Sequence, residues 1–93
     1  MPKVIGNLRI TAKPAAEGIK AHFELMFIPY AGRLATLPAK ANTYDDLVAF
    51  LQDLKFGEDE ATSWAGKARS QGIILIASFE RQDALLKEKG LLA

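Results

Sequence analysis

The 93-residue sequence predicts an α+β fold: a single-layer, mostly antiparallel four-stranded sheet with helices packed on one face, in the order β-β-β-α-α-β-α. Three observations carry this expectation. Apolar and polar side chains alternate through most of the chain before residue 41. The spacing of apolar residues then becomes helical, and a compact apolar run, Ile73 to Ala77, follows the second helix.

In the first strand Val4, Gly6, Leu8 and Ile10 alternate with Ile5, Asn7, Arg9 and Thr11. The segment from Pro14 to Gly18 breaks the pattern as a connection between antiparallel strands would. From Ile19 to Ile28 the residues Ala21, Phe23, Leu25 and Phe27 alternate with Lys20, His22 and Glu24. Phenylalanines two apart cannot share a helix face, so this is the best-defined strand. Pro29 to Gly32 reads as a turn into a short third strand from Arg33 to Leu37, which Pro38 ends because it has no ladder donor.

Thr43 and Asp46 form a variant capping box, and Leu47, Phe50, Leu51 and Leu54 follow on one helical stripe. Phe56-Gly57 closes this helix, with the glycine as a left-handed stop. The second helix opens on Glu58, Asp59 and Glu60, where the helix dipole favours acids, and buries Ala61, Trp64, Ala65 and Ala68. Gly66 inside it marks either a close helix crossing or an unoptimised position; Gly72 stops it. The run Ile73 to Ala77 does not alternate, the pattern of a strand covered on both sides, which predicts a central place in the sheet. Ser78 then reads as the N-cap of a last helix from Phe79 to Lys89, with Ala84, Leu85 and, at the margin, Leu86 inward. Gly90 stops that helix, and Leu91 to Ala93 is expected to pack back on the body.

The length fits one modest core, so residues 1–93 are expected to form a single compact α+β domain. With 49% hydrophobic and 25% charged residues, the chain has enough apolar content to escape the disordered class. It contains no cysteine, which removes disulfides, thiolate metal sites and a cysteine nucleophile together. The N-terminal stretch lacks the apolar run of a signal peptide, and no segment has the length of a spanning helix. The expectation is a soluble cytoplasmic protein without a membrane partner.

Charge is uneven along the chain. Residues 1–41 carry six basic against two acidic side chains, and residues 42–93 carry nine acidic against six basic. The basic half is a weak form of the signal that attracts phosphate backbones.

Chemical motifs are sparse. The serines Ser63, Ser70 and Ser78 have no nucleophile context, and the acids gather at predicted helix starts, where charge–dipole attraction accounts for them. No phosphate-gripping glycine loop, calcium-loop spacing or set of zinc ligands is present. No catalytic residue, cofactor or metal is therefore expected. The single histidine, His22, shares a strand face with Lys20 and Glu24, and hairpin pairing would bring Arg9 to the same face. That face is plain polar surface, a binding surface, or the seat of an acid–base pair in which Glu24 orients the imidazole. Met26 and Ile28 make it apolar toward one end, and Tyr30 and Arg33 lie just beyond. The candidate surface is thus Arg9, Lys20, His22, Glu24, Met26, Tyr30 and Arg33.

A sheet face that turns apolar favours protein association, and homodimers are the commonest oligomers. The leading expectation is a small non-enzymatic interaction or regulatory domain that forms a homodimer, with another protein partner as the wider class. Two alternatives stand beside it. One is a nucleic-acid accessory protein using Arg9, Lys13, Lys20 and Arg33. The other is a small enzyme with a site at a subunit interface around His22.

Overall fold

The structure, a computed structural model, describes residues 2–13, 22–32 and 34–93. The Pro14–Gly18 connection and the residues Lys20 and Arg33 lie outside the described residues.

Seven elements follow in chain order: β1 (Lys3–Lys13), β2 (His22–Pro29), β3 (Pro38–Ala41), α1 (Tyr44–Asp53), α2 (Glu58–Gln71), β4 (Ile73–Gln82) and α3 (Asp83–Glu88). The four strands form one antiparallel sheet in the spatial order β3-β2-β1-β4. The helices pack on one face, as the sequence predicts.

The alternation in β1 and β2 divides their side chains between two environments. Leu8 and Ile10 point to the helices with Phe23, Leu25 and Phe27, all buried. Facing them are Leu47, Leu51 and Leu54 around α1 and the alanine stripe Ala61, Ala65 and Ala68 of α2. Small side chains on α2 let that helix lie close over β1 and β4. Trp64 is only half-buried, with the Lys67 ammonium 4.7 Å from its ring centre. Gly66 faces Tyr44 of α1, where a methyl group would meet only the Tyr44 hydroxyl, at 3.9 Å. The crossing does not demand glycine.

The Thr43 cap forms as expected: its Oγ1 accepts from the Asp46 amide at 3.0 Å. The left-handed residue after α1 is Lys55 (φ 72°), whereas Gly57 (φ −66°) is extended and serves as the N-cap of α2. The stop is thus displaced two residues from the glycine. Arg81 completes this corner. Its Nε donates to the Leu54 carbonyl at the C-terminus of α1, and its guanidinium lies 4.8 Å and 4.5 Å from the ring centres of Phe56 and Phe79.

Three further expectations need correction. The third strand begins at Pro38 rather than ending there, because its pairing with β2 sets Phe23 against Ala41 and Leu25 against Ala39. Residues 34–37 instead meet the C-terminal segment: the Leu37 amide donates to the Leu91 carbonyl (3.0 Å) and the Ala93 amide to Ala35 (3.0 Å). Leu91 and Leu92 are buried there, so the packing-back expected of the terminus holds.

Ser78 is not a helix cap. It is a left-handed residue (φ 54°) in a bulge of β4, where the register steps from Leu8–Ile76 to Gly6–Phe79. The strand continues to Gln82, Phe79 stays in the sheet, and α3 is only six residues long, with Leu86 as its buried side chain.

The third correction matters most for function. β4 is an edge strand, not a central one. Ile74 and Ile76 enter the core, but Ile73 and Leu75 remain 55% and 50% exposed on the other face. The apolar run signals two apolar faces, only one of which the described residues cover.

Candidate functional site

The face opposite the helices is open. Period two places Asn7, Arg9, Thr11 and Lys13 of β1 on it, with His22, Glu24, Met26 and Ile28 of β2. Register turns these into rows. Leu75, Arg9, Met26 and Pro38 form one, and Ile73, Thr11, Glu24 and Lys40 the next. Lys13 stands beside His22, and Asn7 beside Ile28.

Of the sequence-predicted surface, Arg9, His22, Glu24 and Met26 therefore share one face. Arg9 Nη2 lies 3.5 Å from the Met26 sulfur, a weak contact that holds the guanidinium along the sheet. Tyr30 sits where β2 ends and reaches across β1. Its hydroxyl accepts from the Ser78 amide at 2.8 Å and lies 3.4 Å from the Ser78 Oγ. It pins the β4 bulge, which accounts for Tyr30 without a ligand. Lys20 and Arg33 lie outside the described residues, so their part in the surface has no structural account.

His22 is half-buried and pairs across the strands with Lys13. Among the described residues the ion pairs are Lys3–Glu80, Lys87–Asp83 and Lys89–Asp53, and none involves His22 or Glu24. The described residues also hold no group of three metal-ligating side chains. No helix among them is long and apolar enough to cross a membrane. Phe23 and Phe27 are buried at 3% and 0% exposure, so the open face presents no phenylalanine platform on which bases would stack.

The face has two halves. One, along β3 and at the Lys13–His22 end of the sheet, is polar and charged, through Glu24, Lys40, Lys13 and His22. The other is apolar, through Ile73 and Leu75 of β4, Ile5 of β1 and Ile28 of β2, all at least 39% exposed. A shallow depression of about 450 Å³ lies in this second half, lined by Asn7, Arg9, Ile28, Ile73, Ile74 and Leu75. Asn7 Oδ1 is buried there and has no hydrogen-bond partner among the described residues. An unsatisfied buried acceptor costs about 1–3 kcal/mol.

Sequence reasoning missed Ile73 and Leu75 as members of this surface. The signal was present in the absence of alternation, but it points equally to burial by helices and to an uncovered apolar face.

A second concavity, about 650 Å³, lies between the end of β4 and α3, lined by Lys3, Lys55, Glu80, Arg81, Gln82, Ala84, Leu85 and Glu88. Its chemistry is already engaged. Burial pushes the Arg81 guanidinium below its ordinary pKa while Glu60 and Glu80 draw it back up. The same side chain is committed to the Leu54 carbonyl and two aromatic rings, and Lys3 pairs with Glu80 at 3.4 Å. This is a structural corner.

No family model, curated protein or solved structure matches the chain, so its function is argued from its own residues.

Proposed function

We propose that the chain is a small interaction domain that associates with itself, and that the apolar β4 half of the open sheet face is its contact surface. One observation carries this reading: the exposed side chains Ile28, Ile73 and Leu75 line one shallow depression on the open face. Apolar surface gathered in this way is more favourable covered than in water, at roughly 25 cal/mol for each Å² removed. A twofold dimer supplies the cover with no second gene product. The polar half, with Arg9, Glu24 and His22 in adjoining rows, then forms the rim.

The test is the mass in solution, by light scattering coupled to size exclusion across a concentration series at physiological salt. A mass near twice 10.1 kDa is expected. A mass that stays at 10.1 kDa up to high micromolar concentration overturns the reading.

A further inference from the structure

The backbone of β4 carries information that its side chains do not. The Ala12 amide donates to the Gly72 carbonyl at 2.7 Å, which fixes the phase of the β1–β4 ladder. In an antiparallel ladder, residues alternate between those that bond a given neighbour and those that face away from it. Gly72, Ile74 and Ile76 therefore bond β1, and the amides and carbonyls of Ile73 and Leu75 face outward from the edge; Ala77, left without a β1 partner at the bulge, continues the same phase.

We propose that two copies of the chain join edge to edge through β4, antiparallel about a twofold axis at Leu75, so that two four-stranded sheets become one. The proposal rests on the self-association argued above and extends its contact from the open face to the β4 edge.

Three features fit β4 to a second copy of itself. First, the free segment is symmetric. Left-handed residues bound it on both sides, Gly72 (φ 84°) and Ser78 (φ 54°), and Leu75 is the midpoint between them. Second, its phase is right. A twofold centred on a hydrogen-bonded pair requires a central residue whose own groups face outward, and Leu75 is such a residue. Leu75 then bonds its counterpart, Ile73 bonds Ala77 of the other copy in both directions, and about six ladder bonds form. Third, the side chains agree. On the open face Leu75 meets Leu75 and Ile73 meets Ala77, while on the helix side Ile74 lies opposite Ile76.

Charge does not oppose the pairing, because the segment from Ile73 to Ala77 carries none. The nearest charge on the open face is Arg9, one strand inward. In the joined sheet the two Arg9 residues stand three strand spacings apart, about 14 Å, beyond the screening length of roughly 8–10 Å. Edge strands that avoid such pairing carry a lysine, a proline or an inward charge in this position; β4 has none of these between Ile73 and Ala77.

The experiment compares amide hydrogen exchange and solution mass for the full chain and three variants. In the native chain the outward amides of Ile73, Leu75 and Ala77 are expected to be protected as well as those of Ile74 and Ile76, and to lose that protection on dilution. Leu75→Pro removes an outward donor without touching the β1 ladder, and Leu75→Lys places a charge on the axis. Each is expected to weaken association at least 100-fold with the circular dichroism spectrum retained; the lysine variant carries the test if the proline variant fails to fold. Gln52→Lys, on the exposed surface of α1 and away from both the β4 edge and the open sheet face, should leave the dimer intact. A dimer that survives Leu75→Pro, or in which the Ile73, Leu75 and Ala77 amides exchange as fast as in the dilute monomer, overturns the edge pairing and leaves self-association through the sheet face standing. A native chain that is monomeric throughout overturns both.

Discussion

At the β3 edge of the sheet the outward-facing backbone positions belong to Pro38 and Lys40, and at the β4 edge they belong to Ile73, Leu75 and Ala77. The phase at β3 follows from the Tyr30 amide, which donates to Ile5 at 3.0 Å and so turns the even residues of β2 toward β1. Phe23 and Leu25 then bond Ala41 and Ala39, leaving Pro38 and Lys40 outward. One of these has no amide hydrogen to offer, and the other brings a solvated charge to any strand that approaches. The strand is also only four residues long, and the backbone leading into it is occupied by Leu91 and Ala93. Among the described residues nothing comparable guards β4. A protein with two edges of equal risk would tend to join into open-ended fibres; one closed edge and one open edge would limit any edge-to-edge growth to a pair.

The strongest way to break this asymmetry is to remove what supports the closed side. Leu91 is fully buried, and its carbonyl accepts from the Leu37 amide just before β3. Leu91→Ala should cost about 2–5 kcal/mol by loss of buried methyl groups and the cavity left behind. That is a large share of the stability of any small domain. Urea unfolding at fixed protein concentration reads it directly. A cost below about 0.5 kcal/mol, the range of ordinary surface positions, would mean that the terminus is an ornament rather than part of the β3 side.

The next effect arises in the middle of the sheet. A methyl group on Gly6 would stand 2.2 Å from the Ile28 carbonyl oxygen and 2.7 Å from the Pro29 Cα, both backbone atoms of β2. Neither can rotate away, so β1 and β2 must separate at the level where β4 begins to bulge. Gly6→Ala is expected to destabilise by about 1–3 kcal/mol, the range for forced overpacking. A measured unfolding midpoint equal to that of the native chain would show that the two strands adjust freely there.

How much of this was legible in the sequence follows from how local each signal is. The strand β1, the described part of β2, the Thr43 cap, the Glu58 start and the Gly72 stop of α2 all depend on neighbours within a few residues, and all form where the pattern puts them; Ile19 to Ala21, expected in the second strand, lie outside the described residues. The position of β3 and the bulge at Ser78 depend on pairing between distant segments, which periodicity does not encode. The edge position of β4 is of the same kind. The candidate surface divides similarly. Alternation alone assembles Arg9, His22, Glu24 and Met26 on one face, whereas Ile73 and Leu75 join them only because β4 lies beside β1 with no strand beyond it among the described residues.

The smallest effect concerns what ends the open edge. Tyr30 comes from the far end of β2, passes over β1, and accepts the Ser78 amide at 2.8 Å. Without that acceptor the amide of a left-handed residue in the bulge turns to water, since Tyr30 and Ser78 are both exposed. Tyr30→Phe should therefore cost only about 0.5–1.5 kcal/mol, the net worth of one hydrogen bond. Its sharper readout is local: the Ser78 amide should exchange with solvent markedly faster, while Ile74 and Ile76, bonded to β1, stay protected. If the Ser78 amide is unchanged, the bulge is dictated by the strand backbone alone. The length of the open edge would then be set by the Gly6–Phe79 register and not by a side chain from across the sheet.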